Sequence, residues 1–239
     1  MPCGGSLHIA IEPLKSDAAT REHFTALRDA VEARRWVERR VVLARGERSL
    51  SEATGHQPLR WDEDSQTLSH VYGPRHQLFI IGAGMVSKYL AELAQKLDFQ
   101  VSVCDPREHL LEDFGNVGVR LISDMPDDAV RSYADDASSA IVALTHDPRI
   151  DDMGLMEALY TQAFYVGAMG SSRTSASRRE RLAALEVDAT ALARLHAPIG
   201  LPIGSKTPPE IAIAIMAEII AVRSHADALA RQHLATAAV

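Results

Sequence analysis

The residues best placed to do chemistry are two glycines separated by one residue. Gly82 and Gly84 close an apolar run in "FIIGAGMVS". Gly82 permits a tight turn after a strand, and Gly84 lets a backbone approach a pyrophosphate. Ser87 stands at the third position, where glycine is usual, and is still small enough for helix and strand to pack. The helix that follows offers free N–H groups and a partial positive charge to phosphates. Asp105 ends the next apolar run, at the distance where an acidic residue holds a ribose hydroxyl pair and disfavours a 2′-phosphate. The chemistry expected of this set is binding of a dinucleotide-type anion. No Tyr-x-x-x-Lys pair and no other hydride-transfer constellation accompanies it.

Other polar residues fall where further strands should end. Thr145, His146 and Asp147 follow an apolar run. His146 is suited to acid–base work near neutral pH, or to closing a strand end. In "GAMGSSRT", Gly167 and Gly170 allow close backbone approach, and Ser171, Ser172 and Arg173 suit an anion at a helix start. An ordinary glycine-rich turn is the competing reading. Arg178, Arg179 and Arg181 read as a solvated helix face. The segment "LHAPIGLPIGSKTPPE" carries His196, Gly200, Gly204 and Lys206. Lys206 is either a point charge for phosphate or a surface lysine. Cys3 in "PCGG" has an accessible thiol suited to carrying sulfur or binding a soft metal, unless it is merely a terminal cysteine. Cys104 reads as core. No catalytic set and no metal-ligand pattern is assigned.

The elements that must position these residues follow from periodicity. Residues 7–14 alternate and suggest a strand ending at Pro13; a helix capped by Ser16 or Asp17 follows to about Arg34. Strands are expected over 36–46 and 65–74, with a polar, unassigned stretch between. This makes a small α+β unit over 1–74. From 75 the rhythm changes to strands at 78–81, 99–105, 117–122, 139–147 and 163–174, separated by helices, including ones from about 127 and over 151–162. Continuous apolar strands alternating with helices imply an α/β, Rossmann-like, doubly wound parallel sheet over 75–239. Right-handed crossovers bring the strands' carboxyl ends to one edge. Thr207, Pro208 and Glu210 form a capping box. The helix beyond is apolar nearly all round over 211–222, and so is expected to be buried against the sheet or a second subunit.

Composition excludes several classes. The chain has 239 residues, 46% of them apolar, and a formal net charge of −7. No basic excess is available to neutralise nucleic-acid phosphates. Two distant cysteines are neither a disulfide framework nor a zinc pattern, which fits a reducing cytoplasm. The N-terminus lacks a basic region followed by an apolar one, so no signal peptide is expected. The longest apolar run, residues 211–217, is interrupted by Glu218 and is far too short for a membrane span. The expectation is a soluble cytoplasmic protein.

"PCGGSLHIAIEPL", "FIIGAGMVS", "VCDPRE", "LTHDPRIDD", "YVGAMGSSRT" and "HAPIGLPIGSKTPPEIAIAIMAEI" together resemble the XdhC/CoxI family of xanthine dehydrogenase accessory proteins. The motifs are collinear, and the last two are the most specific. The resemblance implies a small N-terminal domain and a C-terminal Rossmann-like domain. It implies a dimerising chaperone rather than a turnover enzyme. Such a chaperone binds the molybdenum cofactor, as molybdopterin or its dinucleotide form, while the terminal sulfur is installed. It then assists insertion into a molybdenum hydroxylase apoenzyme, with a cysteine desulfurase as a further partner. Gly82, Gly84, Ser87, Asp105, His146, Gly170, Arg173, His196, Lys206 and Cys3 are the cofactor-binding candidates. Two departures accompany the resemblance. Met85 stands where the family commonly has His, and the N-terminal domain is expected to lack the family's segment upstream of Cys-Gly-Gly. The competing readings are an NAD-dependent oxidoreductase and a non-catalytic nucleotide-binding module.

Overall fold

The structure, a computed structural model, describes residues 9–55, 57, 59–115 and 118–237, with side chains to residue 224. The chain divides into two compact units, one up to Pro74 together with the last helix from His233, the other Arg75–Gln232.

The first unit begins with α1 (Ala18–Glu32), capped by the Asp17 carboxylate, which accepts the Thr20 N–H at 2.8 Å. Four antiparallel strands follow: β1 (Val37–Val42), β2 (Glu47–Glu52), β3 (Arg60–Asp62) and β4 (Thr67–Tyr72), in the order β2-β1-β4-β3. Val37, Arg39 and Val41 of β1 are buried on one face, as a period of two requires. Leu27, Ala30 and Val37 form its small core. Arg39 is buried because Glu12 accepts from its Nη2 at 2.7 Å and the Phe24 ring lies 5.0 Å below it.

Two expectations change here. Residues 9–14 form no strand: Ile9 and Ile11 are exposed, and Glu12 ties the segment down by ion pairs to Arg39 and Arg48 instead of a ladder. The unassigned polar stretch holds β2 and β3, whose residues are mostly exposed, so no apolar alternation marks them.

The second unit runs β5 (Gln77–Ile81), α2 (Met85–Lys96), β6 (Gln100–Cys104), α3 (Glu108–Glu112), β7 (Arg120–Ile122), α4 (Pro126–Tyr133), β8 (Ser139–Ala143), α5 (Pro148–Ala158), β9 (Tyr165–Ala168), α6 (Ser172–Ala184), α7 (Ala189–Ala193), β10 (Leu195–His196) and α8 (Pro208–Ala237). Its six strands are parallel and ordered β10-β9-β8-β5-β6-β7. Strand order reverses between β5 and β8, which makes that the switch point of a Rossmann sheet. Every residue of β5 is buried, as expected of a strand covered on both faces. Leu78 and Ile80 pack on one side with Leu90 of α2 and Ile215 and Ile219 of α8. Phe79 and Ile81 pack on the other with Val130 of α4, Leu155 of α5 and Leu182 of α6. Full burial of each such side chain contributes about 1.5–3 kcal/mol.

The apolar C-terminal helix therefore covers its own sheet. Ala212, Ile215, Met216 and Ile219 face that core, while Ile213 is half exposed. The glutamate half of the capping box forms: Glu210 accepts the Thr207 N–H at 2.9 Å and the Lys206 N–H at 2.9 Å. The short β10 falls where the sequence reads as loop; two residues are too few to show a period. Among the described residues no helix is long and apolar enough to cross a membrane.

Candidate functional site at the carboxyl edge of the parallel sheet

The glycine turn links the end of β5 to α2. Gly82 has φ +107°, a conformation that disfavours L side chains. A Cβ there would lie 2.8 Å from Thr145 Cγ2 and 3.0 Å from the Thr145 backbone. The turn is thus pressed against the loop that follows β8, across the switch point. Gly84 is the N-cap of α2, and a Cβ on it would meet nothing within 4 Å. The space in front of the helix's orphan N–H groups is open. Ser87, one turn into α2, is fully buried, and its Oγ has no hydrogen-bond partner. A small residue is what close packing demands there.

Asp105 closes β6, fully buried. Its Oδ2 accepts the Ala83 N–H at 2.9 Å and Arg107 Nη2–H at 2.8 Å; its Oδ1 accepts Arg107 Nε–H at 2.8 Å and the Arg107 backbone N–H at 3.0 Å. Burial pushes this carboxyl up, but the bonds from Arg107 and Ala83 outweigh it and hold it below the usual range. The carboxylate locks the glycine turn. Its acceptor sites are filled by the protein, so it is not exposed to a ribose in this conformation. Arg107, by contrast, is 36% exposed, and Asp147 and Asp151 add to the field that holds its charge. The sequence reading does not single it out, although "VCDPRE" contains it; a base two residues beyond the aspartate is the available signal.

After β8, Thr145 forms a compact turn. Its N–H and its hydroxyl both donate to Asp151 Oδ1, at 3.0 and 2.7 Å. His146 follows with φ +62° and an exposed side chain. Asp147 caps α5 and pairs with Arg149 at 3.0 Å.

Behind this turn lies a buried ionic network. Arg178 of α6 bonds Asp151 at 2.9 Å, Asp152 at 3.2 Å and the Met169 carbonyl at 2.9 Å, and Arg181 bonds Asp152 at 2.7 Å. Arg179 donates to the carbonyls of Leu192 and Leu195, both at 2.7 Å. The solvated-face reading of these three arginines is overturned. Arg178 is 2% exposed because two aspartates one helix away neutralise it. Contacts between separate helices leave no local signature in the sequence.

At the end of β9, Gly170 packs on Thr174, and Ser171 caps α6. Arg173 is exposed. His196 of β10 stacks on Tyr165, with ring centroids 4.5 Å apart, and its Nδ1 lies 3.2 Å from Glu218 Oε1. Glu218 also accepts Tyr165 O–H and the Gly200 N–H. Burial raises the Tyr165 hydroxyl above its ordinary value. Glu218, a single charge in an apolar helix, is a second residue that the sequence reading misses. It fastens the proline-rich segment to α8. Lys206 is exposed in that segment.

All the described candidates thus follow carboxyl ends of one sheet, but they are not one cluster. Gly82, Gly84, Ser87 and Asp105 come together, with Thr145 pressed against the turn. From β6 to β10 is about 19 Å at the usual strand spacing, so His196 and Asp105 cannot grip one phosphate. Cys3 lies outside the described residues. Cys104 is buried, its thiol pushed up to about 12 by burial, and is inert core. Among the described residues no three His, Cys, Asp or Glu side chains group to hold a metal.

A family model described as the XdhC Rossmann domain matches residues 78–219. Among curated proteins, the chain is 31% identical over 65% of its length to "Uncharacterized protein YqeB" of Escherichia coli K12. It is 25% identical over 92% of its length to a probable xanthine dehydrogenase subunit of Bacillus subtilis 168. It is 29% identical over 38% of its length to "Molybdenum cofactor insertion chaperone PaoD" of Escherichia coli K12. It spans 29%, 70% and 29% of those proteins' own lengths. A crystal structure described as a xanthine dehydrogenase from Bacillus halodurans shares the fold, with TM-score 0.67 and 24% identity, over 87% of this chain and 66% of that one.

Proposed function

Because the chain belongs to the XdhC family, we propose that it is an accessory protein that binds the molybdenum cofactor and assists its sulfuration and insertion into a molybdenum hydroxylase of the xanthine or aldehyde dehydrogenase type. The observation that carries this reading is the open cradle at Gly84. The N-cap of α2 faces space that a Cβ would enter, at the switch point where Rossmann sheets take anionic ligands. The chaperone named among the relatives supports the choice of ligand. When bound, the cofactor brings an anionic phosphate end and a molybdenum centre whose sulfur must be shielded from water.

The chain's own residues would act by binding and orientation. The N–H groups of α2 neutralise phosphate charge, Asp105 fixes the turn that presents them, and Thr145 closes the opposite wall. Exposed His146, Arg173 and Lys206 stand further along the same edge for the rest of the ligand or for the partner enzyme. The two units act as two domains, and the working form is a homodimer supplied with sulfur by a cysteine desulfurase. In this reading the chain turns over no substrate alone.

The test is anaerobic equilibrium binding of molybdenum cofactor and, separately, NAD to the purified chain, with Gly84→Asp as control. Tight cofactor binding with negligible NAD binding, lost in the variant, is the expected result. Tight NAD binding with no cofactor retained overturns the reading and points to a nicotinamide-dependent oxidoreductase.

A further inference from the structure

The end of β6 is where a dinucleotide-binding sheet usually reads the second nucleoside, through a carboxylate that accepts both ribose hydroxyls. In this chain that carboxylate is fully buried and holds four N–H donors, three of them from Arg107. The guanidinium forks onto both oxygens, with Nε–Oδ1 and Nη2–Oδ2 each at 2.8 Å. It thus stands where the ribose diol would have to bind. Oδ2 also bridges to the Ala83 N–H at 2.9 Å, so the guanidinium lies two hydrogen bonds from the glycine turn and the start of α2. Arg107 is the partly exposed member of the pair, and Asp105 the enclosed one. A guanidinium has five donors and no acceptor, so it favours phosphate oxygens and offers a diol's hydrogens nothing.

Building on the cofactor-binding reading above, we propose that Arg107, not Asp105, is the side chain the ligand meets at the end of β6, and that it selects a ligand end carrying a phosphate over one carrying a free ribose diol. The expectation from sequence alone, an acidic residue favouring unphosphorylated ribose, is thereby reversed. Asp105 becomes a positioning residue that aims the guanidinium and the turn together. For the cofactor this means the phosphate-ended molybdopterin form is preferred to the cytidine dinucleotide, whose far end is a ribose diol.

The test is a matched anaerobic titration of the full chain with those two cofactor forms, using wild type, Arg107→Ala and Arg107→Lys, with melting curves to check the fold. Wild type should bind the phosphate-ended form about tenfold or more tightly than the dinucleotide, the scale of one charge-assisted pair. Arg107→Ala should close that gap from both sides, weakening the phosphate-ended form and opening Asp105 to the diol. Arg107→Lys should keep the preference at reduced size, and it decides the matter if the alanine variant does not fold. A dinucleotide bound as tightly as the phosphate-ended form by wild type overturns the proposal, and so does a gap that neither substitution changes. If neither form binds, the cofactor reading fails on its own account. The preference is then measured with NADP and NAD, which differ by one ribose phosphate. Tighter NADP binding that Arg107→Ala abolishes sustains the role of Arg107; equal binding, or none, removes it.

Discussion

Gly82 and Gly84 are separated by a single residue, and the space around them is opposite in kind. Gly82 needs its positive φ and has Thr145 against it; Gly84 has φ −87° and an empty space before it. Alanine at Gly82 must strain the backbone and push the Thr145 loop, at a cost of about 2–4 kcal/mol. Alanine at Gly84 meets no atom of the chain, and stability should change by no more than about 1 kcal/mol. Its methyl does stand where a phosphate must approach, so ligand affinity should fall about tenfold or more. Urea unfolding and cofactor titration of the two variants separate these outcomes. Loss of stability in Gly84→Ala with affinity intact would mean the space is not a ligand cradle. The same logic shows why the motif is only half legible. Glycine spacing announces a turn, but which glycine serves the fold and which serves the ligand depends on a neighbour 63 positions away, Thr145.

Between elements, the Asp151–Arg178–Asp152–Arg181 network links α5, α6 and the Thr145 turn. Removing one partner of a buried ion pair leaves an uncompensated charge, which costs about 3–5 kcal/mol. Arg178→Met should therefore lower stability by that amount, measured by chemical denaturation, whereas Arg149→Ala, on an exposed pair, should cost less than about 1 kcal/mol. Equal effects would show that the network carries no structural burden. The contrast also marks the limit of the sequence. The β5, β6, β8 and β9 strands and the Glu210 cap of α8 are readable because period and cap chemistry are local. The polar edge strands β2 and β3 and the two-residue β10 have no such period. Arg178 looks solvated because its partners sit on another helix, and Glu218 looks like a mere interruption because its partners, Tyr165, His196 and the Gly200 N–H, are brought together only by the fold.

For the whole molecule, the decisive feature is where the cores begin and end. Both clusters that sandwich the parallel sheet draw every buried member from between Leu78 and Ile219, the same span that the XdhC Rossmann domain model matches. The small core of the other unit, Leu27, Ala30 and Val37, shares no residue with them. A unit that buries its own two faces satisfies the physical condition for folding alone. A fragment of residues 75–232 should therefore unfold cooperatively in calorimetry and retain the cofactor affinity of the full chain, since Gly84, Arg107 and Thr145 all lie within it. A fragment that folds but does not bind would assign part of the site to the N-terminal unit. One that does not fold would show that the sheet depends on residues outside the span from which its two cores are built.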